Sequence, residues 1–137
     1  METVNYWLIF SAIGQLMAAE ARNGGPLGLL PDVESSIKQA FSLHVKPRID
    51  GWPDRRRERL RLSLAYFIGK PSVLEYDVLA NIQDLTMPEP SDFSQFFRWL
   101  YESLFPDQPM NELDLSGVQE DNDAMQMNFE PGELSNQ

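Results

Sequence analysis

Proline and glycine residues interrupt the first 106 residues of the sequence at four places, and this punctuation restricts the fold more than any other feature. Proline cannot continue an α-helix, and glycine readily takes the left-handed conformation with which helices end. Each of the five segments between the interruptions is long enough for one helix. Their expected bounds are 2–22, 32–44, 53–69, 73–85 and 92–105.

Apolar side chains recur at helical spacing within these segments. In the third segment Leu60, Leu64, Phe67 and Ile68 fall on one helical face, which we call the apolar stripe. The fifth segment is apolar over most of its length, which predicts burial on more than one side. No long stretch alternates between polar and apolar residues as a half-exposed strand would. The sequence therefore predicts an all-α fold, a compact bundle of about five helices.

Local signals predict where the helices begin and end. Asp32 and Ser91 lie at the starts of the second and fifth segments, and their side chains are of the type that accepts a hydrogen bond from a first-turn N–H group. We therefore expect both residues to be N-caps. Residues 46–51 contain Pro47 and Gly51, and we expect them to form a connector between the second and third helices.

The charge divides the chain at residue 106. Residues 1–106 contain 13 acidic and 11 basic side chains, whereas residues 107–137 contain 8 acidic side chains and no basic one, so most of the net charge of -10 lies in the second part. This second part has few large apolar side chains to offset the entropy cost of ordering it. We therefore expect a helical domain at 1–106 and a disordered acidic tail at 107–137.

Several classes of site are excluded by composition. The chain has no cysteine and a single histidine, His44, so it has no disulfide, thiolate metal site or multi-histidine site. We expect no catalytic residues, no cofactor and no metal site. The apolar stretch at 4–19 is interrupted by polar residues and preceded by Glu2 rather than by a basic residue. Since it matches neither a secretory signal nor a membrane span, we expect a cytoplasmic protein that does not associate with membranes.

Five arginines lie close together in the third segment, and we call them the arginine cluster: Arg55, Arg56, Arg57, Arg59 and Arg61. At 3.6 residues per turn, Arg55, Arg59 and Tyr66 should lie opposite the apolar stripe. Three of the arginines fall in the first helical turn, where the helix dipole disfavours cations. Because such local conflicts often mark functional sites, an anionic partner is one interpretation. Such a partner is a carboxylate of another protein or of the acidic tail, or a nucleic acid. The other interpretation is a solvated helix start whose arginines pair with carboxylates of neighbouring helices.

Large apolar side chains provide further candidate contacts. Trp99 lies in the aromatic fifth segment, and two interpretations stay open for it: core packing alone, or core packing with a partner surface. In the tail, Met125, Met127 and Phe129 lie among acidic residues, a pattern typical of short motifs that fold onto a partner. The other interpretation of the tail is a solubilising segment without a target.

Together these features predict a non-catalytic protein–protein interaction module, that is, a regulator, inhibitor or adaptor. Its partner is expected to be another protein or a second copy of the chain, with the acidic tail as a second contact or an autoregulatory element. The alternative is a nucleic-acid-binding protein that uses the arginine cluster and is restrained by the tail. Residues 64–82 have part of the spacing of a helix-turn-helix, but Glu75 and Asp77 in the second helix would repel phosphates, so we interpret this region as a helical hairpin.

Overall fold

The computed structural model describes residues 2–82 and 86–123. Within these ranges the chain forms five helical segments: α1 (Tyr6–Asn23), α2 (34–50), α3 (Asp54–Phe67), α4 (71–81) and α5 (Phe93–Leu104). Two short strands, β1 (Thr3–Val4) and β2 (Gln119–Glu120), and a 3₁₀ turn at Met110–Glu112 complete the described elements. The predicted all-α bundle of about five helices is confirmed.

Helix α1 ends where the sequence predicts but begins later. Its last residue is followed by Gly24, which has φ of 79° and donates its N–H to the carbonyl of Ala21. The helix begins at Tyr6 because the Asn5 side chain accepts a hydrogen bond from the Trp7 N–H at 2.8 Å. The expected start at Glu2 is wrong, since the residues before Asn5 pair with the C-terminal part of the chain instead.

Helix α2 continues through the predicted connector at 46–51. It consists of Glu34–Ala40, a π-helical stretch at Phe41–Val45 and a final turn at Lys46–Asp50. In the π-helical stretch the N–H of Lys46 bonds to the carbonyl of Phe41, five residues back. After this wider turn a new helical turn begins at Lys46. Pro47 lies in its first positions, where a backbone N–H has no acceptor within the helix, so the N–H that proline lacks is not needed.

The two predicted N-caps do not cap helices. Asp32 instead accepts hydrogen bonds from the backbone N–H of Ser91 at 2.9 Å and from its hydroxyl at 2.7 Å. Val33 occupies the N-cap position of α2 without a side-chain bond. Helix α5 is capped by Asp92, which accepts from the N–H of Gln95 at 3.0 Å. Asp32 and Ser91 therefore bind each other and join two loops.

The core lies between α1 and α5, because each of these helices packs against α2, α3 and α4. Phe41 of α2 meets Phe96 of α5 edge to face, with 5.4 Å between ring centroids. Phe96 and its neighbour Phe97 are both fully buried. Adjacent helical residues point in different directions, so the expected burial of α5 on more than one side is confirmed.

Residues 107–123, which we call the C-terminal segment, lie against the helices, whereas we expected them to belong to a disordered tail. Strand β2 pairs in parallel with β1, with Thr3 opposite Gln119. Partly buried apolar side chains of the segment pack against the core: Met110, Leu113, Leu115 and Val118. These few apolar contacts, added to main-chain pairing, offset the cost of ordering the segment.

Candidate protein-interaction surfaces

Helix α3 is covered on two sides, and Arg59 lies on the side opposite the apolar stripe. This residue is only 8% exposed, although the helical projection places it opposite the apolar stripe. Its guanidinium donates to the hydroxyl of Thr3 at 3.0 Å, and Ser63 one turn later accepts from the N–H of Asn5 at 3.0 Å. The N-terminal strand therefore covers Arg59, whereas Arg55 is exposed.

The other arginines of the cluster have different environments. Arg57 pairs with Asp54, and Arg61 binds Glu58 with a distance of 2.9 Å from Nε to Oε2. The contact with Glu58 raises the pKa of Arg61. The guanidinium of Arg56 lies over the ring of Trp52, 3.8 Å from its centroid, and Arg55 is exposed. Carboxylates of the same helix therefore hold two of the five arginines, and the cluster does not form one contact surface.

The described acidic residues of the C-terminal segment include one that binds the far end of α3. The Glu120 carboxylate accepts from the Tyr66 hydroxyl at 2.8 Å and from the Lys70 ammonium at 2.7 Å. Lys70 and Tyr66 hold the pKa of this carboxyl below its usual range. Tyr66, predicted to contact a partner, thus contacts the chain's own acidic segment, and it does so beside Lys70 rather than beside the arginine cluster.

The remaining predicted contacts lie in α5 and in the tail. Trp99 is half-buried and packs against the core. Met125, Met127 and Phe129 lie outside the described residues. The predicted site residues that lie within 2–82 and 86–123 therefore do not come together into one surface.

A surface that sequence reasoning missed lies between α4 and the loop that precedes α5. The side chain of Tyr76 is 67% exposed there, the largest exposure among the exposed large apolar residues of the described chain. It borders an open groove of about 280 Å³, which we call the Tyr76 groove. Its lining consists of Glu75, Tyr76, Leu79, Ala80, Ile82, Met87, Pro88, Glu89 and Pro90.

Hydrogen bonds fix both ends of the loop that forms one wall of this groove. At one end, the buried carboxylate of Glu20 accepts from the Thr86 N–H at 3.1 Å and from its hydroxyl at 2.8 Å. At the other end, Ser91 is held by Asp32. Because Pro88 and Pro90 restrict the backbone between these two anchors, the wall is largely preorganised.

The electrostatics of the groove are acidic. Glu75 and Glu89 contribute carboxylates, and the described lining includes no lysine or arginine. A hydrogen bond with Glu75, together with the charges of Glu75 and Glu89, raises the pKa of the Tyr76 hydroxyl. The groove therefore combines an apolar floor, an exposed aromatic ring and a negative rim.

The sequence contains a signal for this groove, although it is a weak one. Tyr76 falls outside the apolar positions of the fourth segment, and the run 87–90 places a methionine between the helix and two prolines. An aromatic residue on the polar face of a short helix is unusually exposed, and such exposure can indicate a contact site. The fold is needed to bring the loop to the same side as the ring.

Other classes of site receive no support from the described part of the chain. Within 2–82 and 86–123, no three histidine, aspartate or glutamate side chains come together in a way that would hold a metal ion. None of the helices in these ranges has the length and apolar character needed to cross a membrane. Comparison with known proteins finds no matching family model, no similar curated protein and no similar solved structure.

Proposed function

We propose that this chain is a non-catalytic protein-interaction module whose contact surface is the Tyr76 groove. One observation carries the proposal: a tyrosine that is two-thirds exposed stands beside an apolar groove with an anchored wall. Tyrosine is enriched among the residues that dominate binding energy at interfaces. Its ring gives a large contact area and loses little conformational freedom when it is bound.

The composition of the groove supports a binding role rather than a catalytic one. Leu79, Ile82 and Met87 offer apolar contact, and the two prolines give it a rigid wall. Such a surface is suited to hold a side chain of a partner, as the core of an interface does. Its carboxylates lie at the rim, where interfaces are usually polar.

The nucleic-acid alternative has less support. Arg57 and Arg61 are paired with carboxylates of their own helix, and Arg59 is buried under the N-terminal strand. Phosphate binding requires cations that are free to replace counterions. A cytoplasmic location and self-association remain predictions.

Site-specific photo-crosslinking in the native host tests the proposed contact surface. A photoreactive phenylalanine analogue is placed at position 76 in the full chain, and a matched control carries it at position 43, where Leu43 is 61% exposed but does not line the groove. We expect a discrete cross-linked protein product from position 76 and none from position 43. The same products from both positions, or none from position 76, would contradict the proposal.

A further inference from the structure

The charge of the Tyr76 groove restricts what binds there. Its lining includes two carboxylates, those of Glu75 and Glu89, and the described lining carries no cation to neutralise them. An anionic partner would bring like charges together, whereas a cationic partner would gain attraction to both carboxylates. The exposed ring of Tyr76 adds a second feature that attracts cations, because the face of an aromatic ring is electronegative.

The chain's own acidic tail does not have this chemistry. Residues 107–137 contain 8 acidic side chains and no basic one. The described end of this part is already bound elsewhere, since Glu120 lies against Lys70 and the backbone of Asn122 accepts from the indole N–H of Trp7 at 2.9 Å. The occupant of the groove therefore comes from another molecule.

The size of the groove further narrows the class of occupant. Its volume of about 280 Å³ lies just below the range typical of pockets that enclose a drug-sized ligand. The apolar floor of Leu79, Ile82 and Met87 suits aliphatic side chains that reach in from a surface segment. Cations next to such a side chain would lie at the level of the rim.

We infer that the groove binds a basic, aliphatic peptide segment of another protein. A leucine-like side chain enters between Leu79 and Met87, while neighbouring arginines lie at Glu75, Glu89 and the Tyr76 ring. This inference rests on the proposed function, because it names the partner chemistry of the same surface. The aliphatic side chain supplies most of the binding affinity, and the cations fix the orientation of the peptide in the groove.

Three synthetic peptides of equal length test the inference by titration into the isotopically labelled full chain, followed by nuclear magnetic resonance. The first peptide alternates arginine with leucine, the second alternates arginine with serine, and the third alternates glutamate with leucine. We expect the arginine–leucine peptide to cause saturable shifts at the amides of Tyr76, Leu79 and Met87. The other two peptides should bind there about tenfold more weakly, since each lacks one of the two required features.

Paired variants identify the carboxylates responsible. The double variant E75Q/E89Q should bind the arginine–leucine peptide about fivefold more weakly, and this binding should depend less on salt concentration. The matched control D107N/E112Q removes the same charge at exposed positions outside the groove and should leave the affinity unchanged. Equal weakening by both double variants would show that the total charge is responsible, and this would overturn the inference.

The outcomes separate this inference from the proposed function. Equal binding of the arginine–serine peptide, or equal binding of the glutamate–leucine peptide at the groove, would overturn the basic–aliphatic assignment. Binding of the glutamate–leucine peptide would still leave the groove as a contact surface. No shift at the groove with any of the three peptides overturns the inference; if position 76 also gives no cross-linked product, the proposed function fails as well.

Discussion

The side-chain amide of Asn5 donates to the backbone carbonyl of Asp123 at 2.9 Å, across 118 positions of the sequence. The carbonyl oxygen of the same side chain accepts from the Trp7 N–H at 2.8 Å and caps α1. Asn5 is fully buried, so neither bond competes with bulk water at that side chain. One residue therefore couples the start of the first helix to the C-terminal segment.

Replacement of Asn5 should separate these two roles. Asn5→Ala removes both bonds, and we expect the free energy of unfolding to fall by about 1–3 kcal/mol. Asn5→Ser keeps an oxygen that can cap α1 but loses the amide that reaches Asp123, so its loss should be smaller by about 1 kcal/mol. Urea unfolding of both variants measures the difference. Equal stability of the alanine variant and the natural chain would contradict the prediction.

The carboxylate of Glu120 should control how firmly the C-terminal segment is held. Glu120→Gln removes the charge that binds Lys70 and weakens the acceptor for the Tyr66 hydroxyl. The N–H groups of Gln119 and Asp121 donate to the carbonyls of Glu2 and Val4, at 2.9 Å in both cases. We expect these two amides to exchange hydrogen severalfold faster in the variant, because local opening becomes easier.

Amide exchange of Glu112→Gln provides the control for this prediction. Glu112 is also acidic and exposed in the C-terminal segment, but it lies in the 3₁₀ turn away from the paired strands. Unchanged exchange is expected at Gln119 and Asp121 in this variant. If the Glu120 variant behaved in the same way as the control, the ion pair would have no role in holding the segment.

The helices could be predicted from the sequence because their signals are local. Spacing of apolar residues and the punctuation by proline and glycine act within a few positions of one another. The end of α1 at Gly24 is such a case. The continuation of α2 through Pro47 could not be predicted in the same way, since it depends on a π-helical turn that places Phe41 and Val45 in the core.

The paired C-terminal segment and the groove depend on long-range contacts instead. Strand β2 binds β1 mainly through backbone groups, which every residue carries, so its sequence has no distinctive pattern. Averaged composition over 107–137 also conceals the partly buried Leu113 and Val118. One wall of the groove is a loop whose two ends are held by Glu20 and Asp32, which lie far from it in the sequence.

The Glu20 carboxyl should make the anchored loop sensitive to acid. Burial alone raises its pKa, but hydrogen bonds from Leu27 and Thr86 outweigh this effect, and the net pKa lies below the model-compound value of 4.5. A carboxyl with a lowered pKa in the folded state stabilises the fold above the unfolded pKa and loses this contribution as the pH falls through the folded pKa. Stability should therefore decline below about pH 5.

Glu20→Gln tests the origin of this acid sensitivity. The variant cannot ionise at position 20, so its unfolding free energy should change less between about pH 5 and pH 3 than that of the natural chain. At neutral pH it should be less stable by about 1–3 kcal/mol, because charge-assisted hydrogen bonds to Leu27 and Thr86 are weakened. Identical pH profiles for both proteins would contradict the assignment to Glu20.

Two arginines of the cluster should differ sharply in their contribution to stability. Arg59→Ala removes a buried guanidinium that binds Thr3, and we expect a loss of about 2–4 kcal/mol. Arg55→Ala removes an exposed side chain and should change stability by no more than about 0.5 kcal/mol. Thermal and urea unfolding of both variants make the comparison. Similar effects would contradict the assignment of a structural role to Arg59 alone.

Shortening the chain tests where the packed domain ends. A chain that stops at residue 106 loses β2, the contacts of Asn122 and Asp123 with α1, and the apolar contacts of Leu113 and Val118. Its free energy of unfolding should be about 2–4 kcal/mol lower than that of a chain that stops at residue 123, because several hydrogen bonds and partly buried side chains are removed together. Trp7 would also become more exposed, which a red shift of tryptophan fluorescence would detect. Equal stability and equal fluorescence of the two shortened chains would instead support a domain that ends at residue 106, with the C-terminal segment contributing nothing to the fold.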